Sequence, residues 1–211
     1  KVWARYIFFK HSSQREDIPG TGGQLAKHLI DQLHLVRVKL KKAAHRSHYN
    51  PFTKVISLTE QTMNAHSLTA VVRAAFEVGH ALQDRHNESV LRYRDGLLAL
   101  ARLGERIGSS ALLTAFIMAL LVPPVAALLL FVALVSMLTG AAVHLLLVPI
   151  GWRAGFDFTL PLLNDGGYVH PQDKAALKQL LLACVFSRFA YALANLLDGR
   201  HWLTVLELRK P

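Results

Sequence analysis

Glu77 and His80 are the residues whose types and spacing could support hydrolytic chemistry. They stand three positions apart in the run Ser67–Gln83, which is rich in helix formers, so they share one face of a predicted helix. In a zinc hydrolase, two histidines four positions apart hold the metal, and a glutamate beside the first takes a proton from the metal-bound water. Glu77 and His80 match the general base and the second ligand, whereas Phe76 stands at the first ligand position. The alternative from the pattern alone is a polar helix edge exposed to solvent.

This predicted helix has sequence signals at its start and in its interior. Ser67 is a good N-cap residue, and the run Leu68–Gln83 contains one helix breaker, Gly79. We therefore predict one helix over these residues. Other elements of the chain would have to bring any further metal ligand to it.

Composition divides the 211-residue chain into a basic polar half and an apolar half. The chain is 52% hydrophobic and 18% charged, with a net charge of +10, and His144 is the one readily ionisable residue in the segment 109–150. The basic residues are scattered and lack the motifs of nucleic-acid modules, so we expect membrane lipids and no nucleic acid as partners. The aromatic and basic residues of 1–10 suit a membrane interface. The single cysteine, Cys184, excludes an internal disulfide.

The polar half contains signals for a small mixed domain. Apolar residues at helical spacing predict a helix over Gln24–Leu35, after a glycine-containing turn that could be structural or could cradle a phosphate. Alternation predicts two strands, Val36–Lys41 and Lys54–Leu58, as antiparallel neighbours. The amphipathic segment Leu91–Ile107 is expected to lie along the membrane surface.

The apolar half predicts membrane-spanning helices. Residues 109–150 are long enough for two spans, and Pro123–Pro124 marks the turn of a transmembrane hairpin. The stretch 175–198 predicts a third span, or else an interfacial helix. The predicted order of segments is 1–108 (basic, cytosol-facing domain), 109–150 (hairpin), 151–174 (returning cytosol-facing segment), 175–198 (further span) and 199–211 (tail).

The distribution of positive charge orients these segments. Arginines precede the hairpin and basic residues follow it, whereas the short hairpin turn has none, so the polar domain should face the cytoplasm. Because the hairpin crosses twice, residues 151–174 return to the side of Glu77 and His80. A distant segment could therefore complete a site on the central helix.

The order of several motifs resembles the bacterial membrane-bound neutral zinc metallopeptidase family with its His-Glu-Val-Gly-His helix. The matching segments are Pro19–Ala26, His48–Pro51, Val55–Leu58, Ser67–Ala70, Ala74–Gln83, Leu147–Ile150, Gly166–Tyr168 and Pro171–Asp173. The resemblance implies an α+β polar domain with a zincin-like active-site helix, joined to the transmembrane hairpin in the bacterial inner membrane. It also implies a further membrane helix before Lys1.

The resemblance further implies a zinc hydrolase, with Glu77 as general base and His80 as a zinc ligand. This chain departs from the family pattern at two expected ligands, because Phe76 replaces the first histidine and Gly151 stands where an acidic ligand is expected. In addition, Arg153 stands where a nearby acid is common, and Asn50 replaces an aspartate. A catalytic zinc site ordinarily has three protein ligands, so zinc is expected to be absent or weakly bound.

Two principal functions follow from these departures. The first is a catalytically degenerate member of the family that binds or presents a protein or peptide partner. The second is a working metallopeptidase that recruits substitute ligands, with His48, His86 or Asp157 joining His80. Of these, His86 is an awkward partner because it lies six residues beyond His80, well around the helix. A transporter or channel component, based on His144 and Arg188 in apolar stretches, ranks last.

Overall fold

The computed structural model describes residues 2–86 and 89–197 of the chain. These residues are mostly helical, with one small sheet. The α-helices are α1 Val2–Lys10, α2 Gly22–Gln32, α3 Glu60–Asn64, α4 Leu68–Arg85, α5 Ser89–Leu121, α6 Pro123–Trp152, α7 Leu160–Asp165 and α8 Lys174–Leu197. The strands are β1 Lys39–Ala43, β2 His48–Asn50 and β3 Val55–Thr59, and a π-helix, Arg153–Thr159, joins α6 to α7. A single 3₁₀ turn, Pro171–Asp173, precedes α8.

The sheet corrects the predicted strand pairing. Its order is β1-β3-β2, and β1 pairs with β3 in parallel, so the predicted antiparallel pairing of these two strands is wrong. The reason is β2, which lies in the segment taken for a polar loop and pairs antiparallel with β3, with Tyr49 opposite Ile56. Both of these side chains are fully buried, which holds β3 in the centre of the sheet.

The glycine-containing turn before α2 has a structural role in the polar part of the chain. Thr21 caps α2, and its hydroxyl accepts a hydrogen bond from the Gln24 backbone N–H while the Gln24 side chain accepts one from the Thr21 N–H. A Cβ on Gly22 would lie 2.3 Å from the Thr62 carbonyl oxygen and 2.6 Å from that of Ala70. The glycine therefore lets α2 approach the backbones of α3 and α4, which fits the structural interpretation of the turn.

The described residues divide into two compact units. Residues 2–86, 89–92 and 148–188 form the first unit, and residues 93–147 with 189–197 form the second. In the first unit, α4 packs against α2, α3, the sheet and the π-helix. The segment that follows α6 thus belongs to the same unit as α4, whereas its return across a membrane stays a prediction.

In the second unit, α5 and α6 pack side by side and run in opposite directions. Gly108 of α5 lies beside Ala133 and Ser136 of α6, whereas Glu105, one turn earlier, contacts His144 further along α6. The two helices are separated by Val122, next to Pro123 and Pro124, and the transmembrane hairpin itself stays a prediction. Among the described residues, Gly96–Leu121 and Pro123–Asp165 are long and apolar enough to cross a membrane.

The predicted boundary at 108–109 and the predicted segments that follow the hairpin can be compared with these helices. The amphipathic segment 91–107 is continuous with the first apolar stretch, because no proline interrupts α5, and the predicted boundary at 108–109 lies inside this helix. The predicted third span coincides with α8, whose crossing of a membrane stays a prediction. The predicted tail, 199–211, lies outside the described residues.

Candidate functional site

Helix α4 is the element that positions Glu77 and His80. The Ser67 hydroxyl accepts a hydrogen bond from the Ala70 backbone N–H at 3.2 Å, and the helix continues from Leu68 to Arg85. This confirms the predicted helix and its cap. Most of its side chains are buried, including both polar residues of the pair, so α4 is a central helix of its unit rather than a surface helix.

Glu77 and His80 are both buried on this helix. Their relative exposures are 4% and 1%, which excludes the alternative of a polar edge exposed to solvent. Nδ1 of His80 lies 3.4 Å from Oε1 of Gln83, a buried side chain one turn further along. If the Gln83 amide oxygen accepts from Nδ1–H, the Nε2 nitrogen of His80 carries the lone pair.

Phe76 fills the position at which the resemblance places a first histidine ligand. Its ring is buried and meets the His80 ring edge to face, with centroids 4.9 Å apart and planes at 76°. Gly155 of the π-helix is also close to this ring, because an added Cβ there would lie 3.3 Å from Phe76 Cε2. The phenyl ring therefore lies close to both the imidazole and the returning segment.

Gly151 lies near the end of α6, at the position expected for an acidic ligand. A Cβ at Gly151 would lie 3.6 Å from Val185 Cγ1, which is an ordinary contact, so a side chain could begin here without a clash. Val185 also lies beside Gly155, since it would be 3.6 Å from a Cβ there. The atoms nearest to a side chain at Gly151 are thus those of an apolar residue.

Close backbone packing holds the returning segment against α4. A Cβ on Gly79 would lie 2.6 Å from the Ala154 carbonyl oxygen and 2.2 Å from Thr159 Oγ1. The buried Thr159 hydroxyl donates to the Ala154 carbonyl at 2.7 Å, inside the π-helix. The glycine between Glu77 and His80 therefore lets the two backbones approach, and the returning segment does reach the predicted site helix.

The substitute ligands lie in other surroundings. Asp157 is half exposed, and its Oδ2 lies 3.5 Å from Nε of Arg153. His48 is exposed at the start of β2, with Nδ1 3.1 Å from the Arg46 carbonyl oxygen, and the His86 ring stacks on Phe158. Among the described side chains, no three of the His, Cys, Asp and Glu residues are grouped closely enough to hold one metal ion.

The donor chemistry of the family positions can be compared with what zinc requires. Glu77 and His80 offer one carboxylate and one imidazole, whereas the side chains of Phe76 and Gly151 contain no lone-pair donor. A catalytic zinc ion ordinarily takes three protein ligands and keeps one open position. The residues at these four positions therefore do not fit a catalytic zinc ion.

Sequence reasoning missed a buried polar cluster at the end of the same helix. Oδ2 of Asp84 accepts hydrogen bonds from the Tyr49 hydroxyl at 2.6 Å and from Nζ of Lys54 at 2.5 Å. Lys54 has a left-handed backbone with φ of 54°, so this contact anchors a strained turn between β2 and β3. The sequence contained one indication of this cluster. Asp84 lies one turn beyond His80, on the helix face that carries Glu77.

Comparison with known proteins gives one family and one relative. The model of the family described as "Putative neutral zinc metallopeptidase" matches residues 1–207. "Putative membrane protease YugP" of Bacillus subtilis (strain 168) is 23% identical over 204 residues, which cover 93% of this chain and 87% of that protein. No solved structure matches the chain significantly.

Proposed function

Because the chain belongs to the putative neutral zinc metallopeptidase family, whose model matches residues 1–207, we propose that it is a catalytically degenerate membrane member that binds a partner without cleaving it. The partner is a protein or a peptide, the class of molecule on which peptidases act. The polar unit faces the cytoplasm at the bacterial inner membrane, and α5 and α6 form a transmembrane hairpin. The arginine distribution and the two apolar helices support this arrangement.

The burial of Phe76 beside His80 is the observation on which this proposal depends. A first zinc ligand at position 76 would have to offer a nitrogen lone pair beside His80, but the ring there is hydrocarbon and packs against Gly155. A zinc ion beside Phe76 would lose part of its hydration shell without gaining a ligand from residue 76. This loss is unfavourable in an apolar environment. The glycine at 151 removes a second ligand, so the two losses reinforce each other.

A second candidate is a working metallopeptidase with substitute ligands, and one observation favours it. Glu77 and His80 remain together, buried on one helix face, although the rest of the ligand set is gone. The named substitutes, Asp157 and His48, would have to leave their exposed contacts with Arg153 and Arg46 to reach a buried imidazole. This requirement makes the active enzyme the weaker of the two candidates.

Metal content of the purified full chain separates the two candidates. We expect much less than one zinc per chain by mass spectrometry, no cleavage of fluorescein-labelled casein, and an unchanged fold after Glu77→Gln. We also expect the double variant Phe76→His, Gly151→Glu to gain zinc, and to lose it again with His80→Ala. His144→Ala in the double variant is the matched control, because that histidine lies in the other unit, and it should leave the metal content unchanged.

The reverse result would overturn the proposal. Stoichiometric zinc in the unaltered protein, lost on His80→Ala, would establish a working metal site. Substitution of Asp157 or His48 in that protein would then show which substitute ligand is used. If the double variant folds but gains no zinc, the assignment of Phe76 and Gly151 to the family's ligand positions is wrong.

A further inference from the structure

Helix α1 presents an aromatic face that the described part of the chain leaves uncovered. Trp3, Tyr6 and Phe9 recur at three-residue spacing, so they span about 120° of the helix circumference. Their relative exposures are 49%, 60% and 80%, whereas Ala4 and Ile7 on the opposite side are buried. The helix is therefore packed on one side and displays aromatic rings on the other.

The positive charge on this helix indicates which kind of partner its aromatic face would contact. Arg5 and Lys10 are exposed beside the aromatic rings, and the first acidic residue of the chain is Glu16. Tryptophan and tyrosine beside basic residues are enriched at the boundary between lipid headgroups and acyl chains, where the ring is buried and its polar edge stays hydrated. Basic residues there are attracted to anionic lipid.

Helix α1 is fastened to the N-terminal part of α4. The Thr69 hydroxyl donates to the Phe8 carbonyl oxygen at 2.9 Å, and the Thr69 backbone N–H donates to that of His11 at 3.2 Å. The guanidinium of Arg73 lies over the Phe8 ring, 5.2 Å from its centroid. The aromatic face of α1 is thus held in a fixed direction relative to the site helix.

We infer that α1 lies in the headgroup region of an anionic bilayer, with Trp3, Tyr6 and Phe9 inserted toward the acyl chains. This inference deepens the proposed function, because it rests on the membrane location proposed for the chain. The bonds to α4 then hold the first turn of the site helix at the lipid surface. His80 lies about 16 Å further along α4 from Thr69, so the helix fixes the distance along its axis between the lipid surface and the site.

Tryptophan fluorescence of the full chain tests the inference. The chain has three tryptophans, so Trp152→Phe, Trp202→Phe leaves Trp3 as the single reporter. The protein is reconstituted in phosphatidylcholine vesicles with and without phosphatidylglycerol, using lipids brominated at shallow or deep acyl positions. We expect stronger quenching by shallow than by deep bromines, and protection from aqueous iodide. Trp3 that is quenched by iodide and not by brominated lipid would overturn the inference.

A second reporter separates this inference from membrane insertion itself. The variant Phe131→Trp in a background lacking the three natural tryptophans places the reporter on the exposed side of α6. If this reporter is quenched by the deep bromines and Trp3 by neither, the membrane location stands and the lipid contact of α1 is refuted. If neither reporter is quenched, the membrane location fails as well.

Charge variants test whether attraction to anionic lipid contributes to the contact of α1 with the bilayer. The double variant Arg5→Gln, Lys10→Gln should have a lower equilibrium constant for the contact of α1 with phosphatidylglycerol vesicles. We expect a decrease of about fivefold for each charge removed. Lys41→Gln, Lys42→Gln on β1 is the matched control and should leave Trp3 quenching unchanged. Equal losses in the two variants would refute a local contact of α1. Iodide protection that rises with protein concentration, without quenching by lipid, would show that a second copy covers the face instead.

Discussion

Two glutamate–histidine pairs within residues 2–86 and 89–197 have different surroundings. Glu77 and His80 lie on one face of α4, where the imidazole Nδ1 approaches Gln83 and the ring edge meets Phe76. The second pair joins two helices, because Nε2 of His144 on α6 lies 3.2 Å from Oε1 of Glu105 on α5. Both glutamates and both histidines are largely shielded from solvent.

The pair on α4 has the geometry of a functional site, whereas the pair between α5 and α6 is a packing contact. A pair three residues apart on one helix leaves the space in front of both groups to be filled by other elements, and in α4 the returning segment packs beside the pair, at Phe76 and Gly79. A pair that spans two helices uses each group to satisfy the other, and so stabilises the helix contact in apolar surroundings. Residue type alone therefore does not assign function, whereas the element that faces the pair does.

The two regions should differ most in how much stability is lost when a helical glycine is replaced by alanine. Alanine in place of a helical glycine normally stabilises by about 1 kcal/mol. Gly79→Ala should instead destabilise by about 3 kcal/mol, because the Ala154 carbonyl oxygen would lie 2.6 Å from the new Cβ and cannot rotate away. For a chain of this size, that lowers the thermal midpoint by about 6–12 °C.

Gly140→Ala in α6 is the matched control for this prediction. Its nearest contact would be Glu105 Cγ at 3.6 Å, an ordinary distance, so the midpoint should stay within about 3 °C of the unaltered protein. Circular dichroism melts of both variants in the same detergent provide the comparison. A midpoint for Gly79→Ala at or above that of the unaltered chain would show that the π-helix can move away from α4.

The fold and the site could be predicted from the sequence to different depths. The cap at Ser67 and the run of helix formers fixed α4, since both signals are local. The strand pairing was wrong because β2 has only three residues, and the Tyr49 hydroxyl is held by Asp84, which is 35 residues away in sequence. The π-helix has no sequence signal, because its register depends on the approach of Gly79 to Ala154.

For the candidate site, the sequence located the two retained groups but not their neighbours. Glu77 and His80 were predicted from spacing, and their burial was not, since it depends on the packing of several elements around α4. Gln83 and Asp84 were missed because an amide and a carboxylate near a helix end ordinarily face solvent. The apolar environment of Phe76 depends on Gly155 and Val185, which are brought to it by tertiary packing.

A smaller effect is expected from the pair that joins α5 and α6. In a double-mutant cycle with Glu105→Ala and His144→Ala, we expect a coupling free energy of about 0.6 kcal/mol, the typical size for hydrogen bonds between helices in membranes. The cycle is measured by thermal unfolding in detergent, and Thr139→Ala with Glu105→Ala is the control cycle. Thr139 bonds to the Val135 carbonyl on its own helix, so coupling there should be near zero. A zero value for both cycles would refute the interhelical contact.

The smallest expected effect concerns pH, and it arises outside both pairs. Partial burial and the nearby Lys10 and Arg15 lower the pKa of His11 from its ordinary value of 6.5, against the opposing influence of Asp173. A lowered folded-state pKa means that the unfolded chain binds the proton more tightly, so this contribution to stability is complete above pH 6.5 and is lost as pH falls through the folded-state pKa. In a neutral detergent, the thermal midpoint should therefore fall on acidification below pH 6.5. His11→Gln should flatten that slope, and Lys10→Gln should flatten it in part, because burial would remain. A slope that persists unchanged in His11→Gln would show that the acid sensitivity does not arise from His11.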